Sequence, residues 1–459
     1  MMSTHEAAGS NERERPRGLW QTARYMAEHT PTERNRYVDF LRALAICAVV
    51  FGHWLVAAPW IRDGVLVGEN LLGVAPWTQW LSWAFQVMPV FFLVGGYANG
   101  LSWESVLERG TRRSAWLASR VQRLVNPVLP LFLTWVAFLV GGRAFGVDPD
   151  VMHVASSLAL VPVWFLAVYL LVVAAVPLSW AAWRRWGMRS FWALGAGVAI
   201  VDTLNLGLGV EWIAPLNFLF VWIGIHQLGY AWRAGHFADP RRALLWSAGG
   251  LATLCALVAF GPYPVAMIGV PGDAVSNSMP PKLALFALGI FQAGLVLALE
   301  APARRLLANS RRWAAVILVN GMIMSLYLWH LTASIAVIGG AWGLGVGLEA
   351  APGTGEWWLS RPLWLSLFVL ATLPFVVLFN RFERDVMTRT DGMSAWRLVA
   401  GIALVCGGLS LTAIAGIGTE SFTGVRLWVV ALPILGAALV DFGPLADRRK
   451  LAPGADAGA

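Results

Sequence analysis

Charged side chains make up only 13% of the 459 residues, about half the share of a soluble globular chain. A water-facing surface cannot be covered with so few charges, which excludes a string of soluble domains. Lysine is nearly absent: of 34 basic residues only Lys282 and Lys450 are not arginine. The three cysteines, Cys47, Cys255 and Cys406, are too few and too far apart for a disulfide or zinc framework, and each lies in an apolar run. There is no GxxxxGK[ST], HExxH, GxSxG or CxxC segment, so P-loop, zincin, nucleophile-elbow and thioredoxin-type readings fall away. No apolar stretch follows within the first thirty residues, so a cleavable secretory signal is not expected.

What is present is apolar surface. Hydrophobic residues reach 58%, with 26 Trp and 47 Gly, and the mean hydropathy is +0.63. That excludes a disordered chain. It fits a bilayer protein, in which Trp sits at the interfaces and Gly lets helices approach closely. Twelve runs are long enough to cross ~30 Å of hydrocarbon. They are placed at 41–60, 80–101, 124–142, 159–180, 190–206, 212–231, 243–261, 282–300, 313–337, 362–380, 397–417 and 425–441, the runs at 190–206 and 425–441 being the shortest. None alternates with period two, so a β-barrel is excluded and the expected fold is an all-α polytopic transmembrane bundle of about 12 spans.

Arginine placement gives an orientation. With a cytoplasmic N-terminus, 29 basic residues fall in inner segments and only Arg62, Arg143, Lys282, Arg361 and Arg426 fall outside. Both termini are therefore expected in the cytoplasm. Topology accounts for the net charge of +8, and no nucleic-acid partner is expected.

Ionisable groups inside a bilayer are costly and are functional candidates. In the first span, Arg42 and His53 are eleven residues apart, on one helix face and about 16 Å apart along the axis. Asp39, one turn before Arg42, can pair with it. Arg42 also fits a snorkelling anchor, and His53 a packed histidine satisfied by a neighbouring helix. His330 lies at about the depth of His53, His226 lies near the cytoplasmic end of its span, and Asp202, Asn217 and Trp164 fall in outer halves, so a polar outward cavity is plausible. Arg120 and Arg123 share a face where the third span begins, followed by Asn126-Pro127. Forked, permanently charged guanidinium groups suit phosphate oxygens, or serve as topology anchors. Gly95-Gly96 reads as a helix-packing or kink element, and no metal-ligand spacing is found.

These segments resemble the acyltransferase-3 family of integral-membrane O-acyltransferases, of the actinobacterial type without a fused esterase-like domain. The likeness runs from about Tyr37 to about Arg384. It rests on Arg42-x10-His53, on Phe91-Phe92-Leu-Val-Gly95-Gly96-Tyr97, on Arg120-x-x-Arg123 with Asn126-Pro127, on Val163-Trp164-Phe165-Leu166, on Ser325-x-Tyr327-Leu-x-His330, and on Phe382-Glu383-Arg384. Gly95 stands where many relatives carry Ser, and two spans follow the usual ten-span core. The resemblance divides the chain into an Arg-rich, disordered cytoplasmic arm (1–36, with an amphipathic stretch near 19–27), a transmembrane acyltransferase domain (37–385), two added spans (386–441) and a cytoplasmic tail (442–459).

The resemblance implies an enzyme of the plasma membrane moving an acyl group, acetyl above all, from acyl-CoA to a hydroxyl of a glycan, glycolipid or glycosylated small molecule. His53 would be the general base, with Arg42 and Asp39 completing the catalytic set. Arg120, Arg123 and Asn126 would hold the coenzyme A phosphates, and His330, Trp164, Tyr327 and Asn217 would shape the acceptor end. No permanently bound cofactor and no metal are expected; membrane lipid, acyl-CoA and the acceptor are the partners, and a homodimer is left open. The alternative from another class is a transporter or flippase for a glycan or lipid, against which no duplicated halves or paired interrupted helices are found.

Overall fold

The computed structural model describes residues 18–31, 33–384 and 394–440. Its elements begin with α1 (Leu19–Glu28), α2 (Arg36–Val56), β1 (Ala57–Arg62), β2 (Val65–Asn70), α3 (Leu71–Val74), α4 (Ser82–Phe85), α5 (Met88–Glu108), α6 (Arg113–Val125) and α7 (Val128–Ala144). Then come α8 (Pro149–Ala159), α9 (Val163–Ala174), α10 (Val176–Trp186), α11 (Met188–Asp202), α12 (Asn217–Arg233), α13 (Pro240–Phe260) and α14 (Leu283–Ala298). The chain closes with α15 (Glu300–Leu306), α16 (Ser310–Asn320), α17 (Ile323–Leu344), α18 (Gly355–Phe379), α19 (Arg381–Arg384), α20 (Ala395–Ala415) and α21 (Leu427–Leu439).

The fold is the expected all-α membrane bundle. Among the described residues ten helical segments are long and apolar enough to cross a membrane; α14 and α15, bent by 51°, make an eleventh, and α21 is a shorter apolar helix. Every one of the twelve apolar runs falls on such a helix. Local chemistry sets where they start. Asn35 caps α2 by accepting from the Tyr37 and Val38 amides at 3.1 and 3.4 Å, and Asn309 and Thr354 do the same for α16 and α18.

Several boundaries differ from the sequence reading. The first run does not stay helical to residue 60. It turns at Ala57 into the β1–β2 hairpin, closed by Asp63 and Gly64, both with positive φ. An Asp-Gly pair is a strong signal for this two-residue turn. The run at 313–337 is interrupted at Gly321–Met322, between α16 and α17, and the run at 159–180 is divided between α9 and α10. The amphipathic stretch near 19–27 is not a loose arm: it is α1, whose Ala23 and Ala27 are buried and whose end is tied down where Trp313 Nε1 donates to Thr30 Oγ1 at 2.8 Å. Residues 1–17 and the expected tail 442–459 lie outside the described residues.

Close approach requires glycine at the α5–α12 crossing. A Cβ on Gly96 would collide with the His226 carbonyl, and one on Gly229 with the Leu93 carbonyl. The two helices beyond the core are not peripheral. On α20, Cys406 reaches the Ala167 carbonyl of α9 at 3.6 Å, and Gln122 of α6 donates to the Val440 carbonyl at 2.7 Å.

The bundle has two unlike ends. At the arginine-rich end lie α1, α15, α16 and the start of α2. At the far end the hairpin, α3, α4 and the loops around 261–282 and 345–354 form a cap. It is tied by Trp83 donating to the Val265 carbonyl (2.8 Å), Ile61 to the Leu348 carbonyl (2.7 Å), and Asn277 to the Pro264 and Ala266 carbonyls (2.7 and 2.9 Å).

Candidate active site

Helix α2 carries His53 into direct contact with α17. His53 Nδ1 lies 2.9 Å from His330 Nε2, the rings meet edge to edge with centroids 5.2 Å apart and 7° between planes, and the neighbouring Trp54 donates to the His330 carbonyl at 3.1 Å. His330 is fully buried, and its Nδ1 sits 2.7 Å from the Tyr327 carbonyl. A carbonyl only accepts, so His330 Nδ1 carries the proton and its Nε2 presents a lone pair. His53 must then donate from Nδ1, which leaves its own Nε2 unprotonated. His53 stays half-buried, and the residue before it, Gly52, faces open space. The pair is therefore ordered so that the outer ring's Nε2 is the nitrogen left to accept a proton.

The start of α17 has no cap of its own. Glu383, from α19, accepts from the Met324 and Ser325 amides and the Ser325 hydroxyl, each at 3.2 Å. A carboxylate against a helix N-terminus is favourable, and here it fixes the helix that carries His330. The sequence reading matched Glu383 to a motif but gave it no task.

At the arginine-rich end, Asp39 is buried and accepts from Arg42 at 3.0 Å and from Arg34 at 2.7 Å. Its backbone carbonyl receives Asn320 at 2.9 Å. Arg34 was not singled out by sequence. Arg120 donates to Ser102 Oγ at 2.8 Å, stands 5.6 Å over the Trp116 ring, and feels the charges of Arg123 and Arg42. Arg34 and Arg42 share the single carboxylate of Asp39, and Arg120 and Arg123 add charge near Arg42, a surplus of positive charge suited to an anion. Arg123 is exposed, and Asn126 closes α6 with its amide on the Gln122 carbonyl.

A chain of rings leads from His330 along α9. Tyr327 lies 6.2 Å from His330 and 5.7 Å from Phe165, and Phe165 lies 5.5 Å from Tyr169 on α9, which packs on α6. The Tyr327 hydroxyl donates to the Pro162 carbonyl at 2.8 Å, just before α9. Gly95 makes room here: a Cβ would meet the Tyr169 phenol at 3.0 Å.

Other candidates lie elsewhere. Trp164 is half-buried on α9, and its ring meets Phe165. Asn217 is fully buried and donates to Asp202 at 2.8 Å, in a cluster where Asp202 also accepts from Tyr263 (3.0 Å) and the Leu283 amide (2.7 Å). Burial pushes the Tyr263 phenol up and the Lys282 amine down, Asp202 opposing the latter. His226 is buried against Asn99 at 3.2 Å beneath the α5–α12 crossing. A cavity of about 490 Å³ lies between α11, α13 and α14, and one of about 410 Å³ at the far end beside Gln79, Tyr263 and Asp273; neither is lined by His53 or these arginines.

A family described as an acyltransferase domain matches residues 35–381, three quarters of the chain. The chain belongs to the acyltransferase-3 family. It is a multi-pass membrane acyltransferase, and the histidine pair, Arg42, Arg120, Arg123 and the ring chain all fall inside the matched region. No curated protein and no solved structure matches the chain.

Proposed function

We propose that this acyltransferase moves an acyl group, acetyl above all, from acyl-CoA to a hydroxyl of a glycan, glycolipid or glycosylated small molecule. The observation that supports it most is the tautomer order of the pair, which leaves His53 Nε2 free to take a proton. In this reading Nε2 removes the acceptor's hydroxyl proton as the oxygen attacks the thioester carbonyl. The tetrahedral intermediate then expels the coenzyme A thiolate, which leaves as the thiol after recovering that proton from Nε2. His330 lowers the cost of the transient imidazolium by accepting from Nδ1–H, and the Tyr327 carbonyl keeps His330 oriented.

Coenzyme A phosphates fit the cluster of Arg42, Arg120 and Arg123, with Asp39 holding Arg42 and Asn126 at the turn beside it. The acyl arm then follows the side of the bundle lined by Tyr169, Phe165 and Tyr327. His330, Tyr327 and Trp164 shape the acceptor end, whereas Asn217 serves the separate Asp202 cluster. The arginine excess favours a plasma-membrane orientation with this cluster and both termini in the cytoplasm. A flippase reading has no particular feature in its favour.

The decisive experiment is thiol release from acetyl-CoA by purified protein with hydroxyl acceptors. His53→Ala should eliminate release while the protein keeps its yield and its elution profile. Undiminished release by that variant would remove His53 from the base role.

A further inference from the structure

Arg361 sits near the start of α18, at the far end of the bundle, and only 8% of its surface is exposed. Its guanidinium lies 4.1 Å over the Trp357 ring and 5.6 Å from the Trp364 ring. Nε donates to the Trp357 carbonyl at 3.1 Å and Nη2 to Ser360 Oγ at 3.0 Å. Among the described residues no carboxylate forms an ion pair with it. A buried cation ordinarily has a counter-charge, because leaving one unpaired in a low-dielectric setting is costly. A second donor stands beside it: Trp357 Nε1 is buried with no hydrogen-bond partner.

The position relates this pair to the histidines. Phe368 lies seven residues further along α18 and packs against Trp54 at 5.6 Å, and Trp54 packs against His330. Arg361 is therefore about 10 Å further toward the far end than the level of the His53–His330 pair, by the rise of the helix. Trp357 packs with Ala58, just after the end of α2, and with Leu71. An acceptor with its hydroxyl at His53 would pass this site on the side away from the arginine cluster.

We propose that Arg361, with the Trp357 indole N–H, binds an oxyanion carried by the acceptor, a phosphate or a carboxylate on the glycan. The inference rests on the acyltransfer reading and narrows its acceptor class to anionic molecules. The two faces of indole hold the guanidinium by cation–π contact without neutralising it, so its charge stays available to a ligand.

The test compares octyl glucoside with octyl glucuronide and octyl glucoside 6-phosphate as acceptors of the full-length protein in a neutral detergent. The wild type should show a KM about tenfold or more lower for an anionic acceptor than for the neutral one. Arg361→Gln should bring that ratio toward one, Arg361→Lys should keep much of it, and Trp357→Phe should lower it in part while retaining the ring. If Arg361→Gln fails to fold, the lysine and phenylalanine variants carry the comparison. In parallel, inorganic phosphate or glucuronate should raise the Tm of the wild type above chloride at matched ionic strength, and the glutamine variant should lose that gain.

Equal KM values for neutral and anionic acceptors in the wild type, with no anion-dependent gain in Tm, would overturn the proposal. Stabilisation through Arg361 by phosphatidylglycerol but by neither soluble anion would overturn it in favour of a lipid headgroup. Absence of thiol release with every acceptor, alongside an Arg361-dependent gain in Tm, would instead count against acyl transfer and leave the anion site standing.

Discussion

With its Nδ1–H committed to the Tyr327 carbonyl, His330 has one acceptor nitrogen left, and His53 fills it. In the proposed mechanism His330 is then a positioning residue, a role that can be separated from packing. His330→Ala is expected to lower kcat by about a hundredfold, the lower end of what positioned proton transfer contributes, while KM for acetyl-CoA changes little. His330→Gln, whose amide oxygen can accept from His53, should recover part of the loss. Acid should inhibit in a defined sense: the base works only when neutral, so kcat/KM falls as pH drops through the ionisation of the pair and levels off above it. Removing His330 should move that acid limb, which a merely structural role would not do. At this scale much was legible in the sequence. The depth of His53 and His330 followed from counting residues along two spans, and the Asp39–Arg42 pair from helical spacing. Arg34 as the second partner of Asp39 did not, because it joins from outside the helix.

Among the elements, α17 depends on a borrowed cap. Glu383 arrives from the far side of α18 in sequence and closes the amides of Met324 and Ser325, five residues before His330. Glu383→Ala should destabilise the protein by about 1–2 kcal/mol, the cost of losing a helix cap. It should also depress kcat more than KM, because the frayed turn loosens His330; a Glu383→Gln variant, which keeps acceptor oxygen, should fall between. Thermal unfolding together with initial rates reads both effects. The positions of the helices could be read from run length, since crossing hydrocarbon demands about 20 apolar residues. Their partners could not. In lipid the outward face of a helix is as apolar as the inward one, so the polar–apolar contrast that orients a soluble helix is missing. Asn217 shows the result: its depth was legible, whereas its pairing with Asp202 depends on which helices meet. The hairpin was hidden because Trp60 and Ile61 prolong an apolar run, although Asp63-Gly64 marked its turn.

For the molecule as a whole, the family match ends at residue 381, yet the protein's packing does not. Helices α20 and α21 lie on α9 and α6, the two helices that bear Phe165, Tyr169 and Arg120. A chain ending at Arg384 would expose apolar surface around Ala167 and lose the Gln122–Val440 hydrogen bond. It is expected to be recovered in lower yield and to elute as aggregate on size exclusion, whereas a chain shortened only after Val440 should behave like the full-length protein. The arginine asymmetry supplies a further check. A periplasm-dependent reporter inserted at Gly64 should be active and one inserted at Gly235 silent; the reverse pattern would invert the proposed orientation.

Arg42 and His53 occupy one rigid rod, so in the proposed reading the gap between the phosphate site and the reacting acyl group is set by the rise of α2, about 16 Å. The nucleotide then works as a handle whose length matters, and reactivity and grip become separable. An acetyl N-acetylcysteamine thioester, which has the reactive tip and no handle, should acylate the acceptor at saturating concentration with a KM far above that of acetyl-CoA. Mutating Arg120 should penalise the intact donor and leave the clipped one indifferent.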